Sequence, residues 1–481
     1  MLQQKPFIHL FKTNGMNYIF DVNTNSIIAI DRELYYDLKA ILNNINSEIS
    51  ESSTSKIKKF LSQGLLKPVR TNYNLEHPAT NTLKHQLNGN IRMITLQVTQ
   101  NCNLRCKYCA YSGSYIQRKH NNKRMSLETA YKAIDFYKNH SSAQDRATIG
   151  FYGGEPFLEF ELIKKSVEYA KKIFNGKNIM FQVTTNATLL NDEIIDFIAS
   201  NDFSLVVSLD GPPEIHNASR VFADNNTGSF NKVIENVEKI RSKYPKFADN
   251  ILFNAVLNTN NDFDCSNNFF ATYDTVKNCN YMVSPVNSIG RKETLQYSDK
   301  YFQNYNYSLF LKFLGLTNRI DKKYATTAFD GYINNVKAVI NERHKAPDVF
   351  CATCHPSGPC VIGVQRPFVS VDGKIFPCER VSETSEIMCI GHIDDGFYIN
   401  KATELLNVGK ITESECKNCW AFNLCSQCVS GADNGNSLLK ANRLSLCTQT
   451  KSSIENMLKD YCVLRQNGYN FDEEVPYEYQ I

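Results

Sequence analysis

Three cysteines stand close together in Thr99-Gln-Asn-Cys-Asn-Leu-Arg-Cys-Lys-Tyr-Cys109, spaced C-x3-C-x2-C directly after the apolar run Ile94 to Val98. A closed structural metal site takes four protein ligands. Three thiolates in one compact loop at the end of a strand therefore point to a cubane iron–sulfur cluster with one iron left open for a small molecule. On spacing alone, a zinc loop or three packed cysteines would satisfy the same pattern, so the rest of the chain has to decide.

Three further segments do so. The apolar run Ala147 to Tyr152 leads into Gly153-Gly-Glu-Pro156, and the string Phe181 to Asn186 ends in Thr184, Thr185 and Asn186. Leu205-Val-Val-Ser-Leu-Asp-Gly211 is followed by His216 and Arg220. In this order, with the cysteine loop, they resemble the radical S-adenosylmethionine (SAM) enzymes. The resemblance implies that Cys102, Cys106 and Cys109 hold a [4Fe-4S] cluster whose fourth iron takes the amino and carboxylate groups of SAM. It places Tyr108 against the adenine and Gly153, Gly154 and Glu155 at the ammonium end. Thr185 and Asn186 fall at the ribose, and Ser208, Asp210 and Arg220, with His216, at the ribose and carboxylate. The implied chemistry is transfer of one electron into the sulfonium, release of a 5′-deoxyadenosyl radical, and abstraction of hydrogen from an unactivated carbon.

A second field of thiols begins at Cys351. Cys360, Gly373 and Cys378 read C-x12-G-x4-C, followed by Cys416-x2-Cys419-x5-Cys425-x2-Cys428 and then Cys447. This resembles the SPASM extension, which carries two auxiliary clusters. Here two residues, Ser426 and Gln427, separate the last pair where the family has three, so the last ligand of that run is the least fixed. The resemblance implies Cys354, Cys360, Cys378 and Cys428 for one [4Fe-4S] cluster and Cys416, Cys419, Cys425 and Cys447 for the other. Zinc is the competing occupant, since C-x2-C pairs also bind it. Cys351 and Cys389 are surplus, either swapping in as a ligand or staying free, and Cys265 and Cys279 read as packed or free thiols. Glu379, beside Cys378, is a candidate proton acceptor or peptide contact, or else an ion-pair partner.

A chain of 481 residues is too long for one core. A hydrophobic fraction of 42 % marks it as globular, and a formal charge of +4 gives no argument for nucleic acid or membrane. No stretch reaches the roughly 18 apolar residues of a membrane span, and Met1-Leu-Gln-Gln-Lys-Pro lacks a signal-peptide pattern. A cytoplasmic setting is expected, where clustered thiols serve as metal ligands rather than disulfides.

The fold class is α/β. Residues 91–290 alternate strand and helix patterns, with strands expected at 94–98, 147–152, 179–184, 204–209, 251–257 and 280–285, and every motif at a strand's C-terminal end. Barrel enzymes assemble their chemistry there, in agreement with the partial (β/α)6 TIM barrel the resemblance implies. Residues 1–75 read as three strands, with a hairpin turn at Asn14-Gly15, and two helices. They resemble the winged-helix-like leader-recognition domains of peptide-modifying enzymes, which add a peptide as a strand. Residues 71–90 read as a linker, 291–349 as a helical bridge and 350–465 as the SPASM domain.

Leader domain, barrel and cysteine-rich tail together resemble maturases of ribosomally made peptides. The wording His355-Pro-Ser-Gly-Pro-Cys360, Phe376-Pro-Cys-Glu-Arg380 and Cys416-Lys-Asn-Cys-Trp-Ala-Phe422 leans toward the sactipeptide and ranthipeptide enzymes. The expectation is therefore thioether formation between a cysteine sulfur and a carbon of a precursor peptide, with SAM, three [4Fe-4S] clusters and an electron donor such as flavodoxin or ferredoxin. The alternatives are a sulfatase-type maturase making formylglycine, and a radical epimerase or carbon-carbon crosslinking enzyme.

Overall fold

The computed structural model describes residues 4–45, 48–69, 73–115, 119–257, 263–277, 279–342, 353–356, 358 and 360–472. The N-terminal unit is an antiparallel sheet of β1 (Ile8–Thr13), β2 (Met16–Asp21) and β3 (Ser26–Ile30), in that spatial order, followed by α1 (Arg32–Leu42) and α2 (Glu51–Ser62). Gly15, at φ +101°, supplies the positive dihedral that the two-residue turn requires. Asp31 and Ser50 cap the two helices by accepting from the Leu34 and Ser53 amides, as short polar side chains do at N-termini.

Alternation along the strands gives this sheet two apolar faces. Ile8 and Ile19 pack with Leu34, Leu38 and Ile57 of the two helices. Phe11, Tyr18 and Phe20 point the other way, into a separate core built with Ile454, Met457 and Leu458 of the long helix Cys447–Gln466 and with Ala421 and Leu424. His9 stacks on Trp420 at 3.6 Å between ring centres.

The central sheet runs β10-β9-β8-β7-β6-β5-β12-β13-β14-β15. Its parallel part is β5 (Ile94–Thr99), β6 (Arg146–Gly153), β7 (Asn178–Thr185), β8 (Phe203–Ser208), β9 (Leu252–Leu257) and β10 (Asn280–Pro285). The expected six strands form within one or two residues of their expected bounds; β5 is buried along its whole length and β6 along most of it, as parallel strands covered on both faces are, whereas β10 at the sheet's edge is half-buried to exposed. Helices such as Leu127–His140, Phe160–Ile173 and Phe230–Lys243 cover the outside.

Two parts differ from expectation. Residues 74–90 are not a linker: the helix Leu83–Gly89 drives Leu83 and Leu87, one turn apart, fully into the barrel core, and β4 (Asn74–Leu75) pairs with β11 (Thr353–Cys354). The cysteine-rich region, moreover, continues the sheet. Its β12 (Phe368–Val369) lies parallel to β5, and β13 (Lys374–Phe376), β14 (Gly391–His392) and β15 (Gly396–Phe397) follow antiparallel. These pieces are two or three residues long and carry no readable period. Among the described residues no helix is long and apolar enough to cross a membrane.

Candidate active site

The loop after β5 is held by its own backbone and by the turn after β6. Thr99 and Asn101 carbonyls accept from the Gly154 and Glu155 amides at 3.0 and 2.9 Å. A Cβ on Gly153 would sit 2.1 Å from the Thr99 oxygen, and one on Gly154 would sit 2.0 Å from that of Asn101. The glycines thus permit close approach of the cysteine loop itself, as residues without Cβ do, and both also line the cavity above it.

That cavity, about 380 Å³, brings together Cys102, Cys106 and Cys109 with Tyr108, Thr185, Asn186, Ser208 and Arg220. Three strands and the loop therefore converge where the sequence motifs placed them. The Leu104 amide approaches Cys102 Sγ at 3.4 Å and the Tyr111 amide approaches Cys109 Sγ at 3.5 Å. Asn186 Nδ2 bonds Asn103 Oδ1 at 2.9 Å and lies 3.8 Å from Cys102 Sγ. Burial pushes the Cys102 thiol up to about 12 and that of Cys106 to about 11, with Arg220 opposing the shift at Cys106. Ligation by these sulfurs accordingly displaces their protons.

On the far side, Arg220 makes two bonds to Asp210, Nε to Oδ2 at 3.0 Å and Nη2 to Oδ1 at 3.1 Å. Asp210 also accepts from the Tyr108 hydroxyl and the Val256 amide. The guanidinium lies 5.3 Å from the centre of the Tyr108 ring. Burial holds that hydroxyl protonated, its ordinary value raised well up despite Arg220.

Three expected contacts lie behind the wall. Glu155 is fully buried and its carboxylate is filled by the Phe157 amide, the Thr185 hydroxyl and the Asn186 amide at 3.1, 2.7 and 2.8 Å. Its carboxylate ties the turn after β6 to the end of β7, and burial pushes it up to about 7. Asp210, through the bonds just given, positions Arg220 and Tyr108 rather than lining the cavity. His216, also fully buried, bonds Ser229 Oγ at 2.9 Å and receives the Asp210 amide; burial lowers it to about 3, so the ring is neutral. Glu379 is an ion-pair partner, with Arg366 Nη2 at 2.7 Å and Arg380 Nε at 3.8 Å, and it is Arg380 that reaches the cavity.

The cavity also has groups that the motifs did not announce. Asn254, the polar residue in the apolar strand Leu252–Leu257, is one; Tyr115, whose hydroxyl donates to Asn287 O at 2.7 Å, is another. Arg380, Ser382, Ser430 and Asp433 reach it from the cysteine-rich region.

In that region, Cys416, Cys419, Cys425 and Cys447 all line a second cavity of about 220 Å³. Of the other expected set, Cys360 and Cys378 both lie within electrostatic range of Cys428, while Cys354 is in β11. Cys389 is a packed thiol, buried and donating to Gly391 O at 3.4 Å. Cys279 is packed too, accepting from Arg241. Cys351 lies outside the described residues. Among these, no three His, Cys, Asp or Glu side chains close on one point as a single ion requires.

Residues 96–262, which carry the three loop thiols, the double-glycine turn and the Arg220, Asp210 and Tyr108 wall, match the Radical SAM superfamily model. The chain therefore carries a radical SAM domain.

Among known proteins, it is similar to a cysteine-type anaerobic sulfatase-maturating enzyme of Clostridium novyi, 26 % identical over 349 residues that cover 70 % of this chain and 86 % of that one. A serine-type anaerobic sulfatase-maturating enzyme of Bacteroides thetaiotaomicron is 36 % identical over 144 residues, 29 % of this chain and 34 % of that one. The fold matches that of native anSMEcpe with bound AdoMet and Cp18Cys peptide, with a TM-score of 0.56 at 22 % identity over 78 % of this chain and 98 % of that chain.

Proposed function

We propose that this protein is a radical SAM maturase of the sulfatase-maturating type, oxidising a cysteine or serine side chain of a peptide or protein. The observation that carries the reading is the shared cavity: three loop thiols on the barrel side and Arg380, Ser430 and Asp433 on the cysteine-rich side face one space. A peptide side chain can be held there over the cofactor site.

In this reading Cys102, Cys106 and Cys109 hold the first cluster. Tyr108, Gly153, Gly154, Thr185, Asn186, Ser208 and Arg220 surround SAM, with Asp210 and Glu155 fixing them from behind. When bound, cluster and SAM supply a radical that removes hydrogen from the substrate carbon. The chain's own part is to orient the peptide and exclude water. Cys416, Cys419, Cys425 and Cys447 suit an auxiliary cluster, because a zinc ion about 2.3 Å from each sulfur leaves no void of the kind they surround. Cys354, Cys360, Cys378 and Cys428 are the proposed ligands of the other. A one-electron donor such as a flavodoxin or ferredoxin is required.

Thioether formation is the second reading, favoured by the N-terminal sheet. β3 pairs only with β2 among the described strands, and an open edge is where a leader peptide can add.

Anaerobic reconstitution should load about twelve irons, and replacing Cys102, Cys106 and Cys109 by Ala should remove about a third of them with all SAM cleavage. SAM cleavage surviving in that variant would sink the assignment. With a cysteine-bearing peptide, mass spectrometry separates the readings: replacement of the thiol by an aldehyde oxygen marks the sulfatase-type reaction. Loss of two hydrogens, with the cysteine no longer alkylated, marks the thioether.

A further inference from the structure

Arg443, in the helix Lys440–Ser445, is the largest of the fully buried side chains among the described residues, with 2 % of its surface exposed. Arginine is buried in this way almost only against a counter-charge. Its Nη2 donates to Pro356 O at 2.6 Å, a neutral carbonyl, and Nη1 has no hydrogen-bond partner among the described residues. The guanidinium lines the same 220 Å³ cavity as Cys416, Cys419, Cys425 and Cys447. Two other donors stand at these sulfurs: the Thr412 hydroxyl is 3.2 Å from Cys416 Sγ, and Gln427 Nε2 is 3.7 Å from Cys447 Sγ.

We propose that Arg443 is the built-in counter-charge of an anionic four-iron cluster in this cavity and raises its reduction potential. The inference rests on the reading of the cavity as a cluster site. Four thiolates around a doubly positive core leave two negative charges, and one-electron reduction adds a third. A fixed cation with a spare donor at the sulfurs stabilises the reduced state more than the oxidised one. When bound, such a cluster would supply a one-electron acceptor for oxidation of the carbon-centred substrate radical, whose proton would pass to solvent. Arg443 is a positioning residue, since it acts on the cluster and not on the substrate.

The test is an EPR-monitored redox titration of full-length reconstituted protein, with metal analysis, in the wild type, Arg443→Met and Arg443→Lys. The SAM-binding cluster is told apart by its spectral response to SAM. In Arg443→Met the reduced-to-oxidised ratio of one SAM-insensitive cluster should fall about tenfold or more at a fixed potential, a shift of about 59 mV for a one-electron couple, while Arg443→Lys stays near the wild type. Iron lost in Arg443→Met and restored in Arg443→Lys would equally show counter-charge. Titrations that superimpose at full iron content, or four irons lost in both variants, would make Arg443 a packing residue. Zinc in place of the cluster in the wild type would overturn the cluster reading itself, and metal analysis reports that separately.

Discussion

Asp210 is almost wholly buried, with 1 % of its surface exposed. The motif Leu205 to Gly211 places it at the end of β8, beside the cofactor site. The structure makes it the single carboxylate that holds Arg220, Tyr108 and the Val256 amide. Asp210→Ala leaves Arg220 buried without its counter-charge, which should cost about 3–5 kcal/mol, read as a lower urea midpoint together with weakened SAM binding. An unchanged midpoint would mean that water replaces the carboxylate. Glu155 and His216 turned inward for a related reason: a motif fixes where the backbone passes, whereas side-chain direction depends on partners from other strands. Burial holds both His216 and His355 down at about 3. Unfolding lets each take up a proton at its ordinary value near 6.5, so the unfolded chain binds more protons between these limits. The penalty is absent above about pH 6.5 and grows as pH falls below it, by about 1.4 kcal/mol per pH unit for each histidine. Urea midpoints at pH 7 and pH 5 should therefore differ less in a His216→Asn, His355→Asn double variant than in the wild type, and equal differences would refute the assignment.

Strands and helices were legible where they repeat. β5 to β10 are six to eight residues long, and in most of them burial shows in composition, while the motifs at the ends of β5 to β8 fixed their order. β12 to β15 were not legible, because strands of two or three residues show no alternation and exist only through pairing with β5 and with one another. The helix Leu83–Gly89 escaped for want of more than two apolar positions. The turn at Gly153 and Gly154 is the element that sets the cysteine loop. Gly154→Ala would put a Cβ 2.0 Å from the Asn101 oxygen, so the loop carrying Cys102 must move. The backbone strain should cost about 1–3 kcal/mol, and about a third of the iron should be lost with SAM cleavage. Full iron and normal cleavage in that variant would show that the loop adapts.

At the scale of the molecule, the N-terminal strands were legible from alternation, but the two-sidedness of their sheet was not, since a sequence does not say what a second apolar face meets. That face, through Phe11, Tyr18 and Phe20, shares a core with Leu424 and the helix Cys447–Gln466, and Asn423 Nδ2 bonds Val22 O at 2.7 Å. Removing residues 1–75 should therefore loosen the Cys416 to Cys425 loop and shed about four irons even with no peptide present. Iron retained in full would show that the unit serves recognition alone. The shared core bears on how such chains can be recombined. A front domain that completes the hydrophobic interior of the tail is not an exchangeable cassette. A chimera meant to redirect peptide choice would have to carry the helix Cys447–Gln466 along with the sheet.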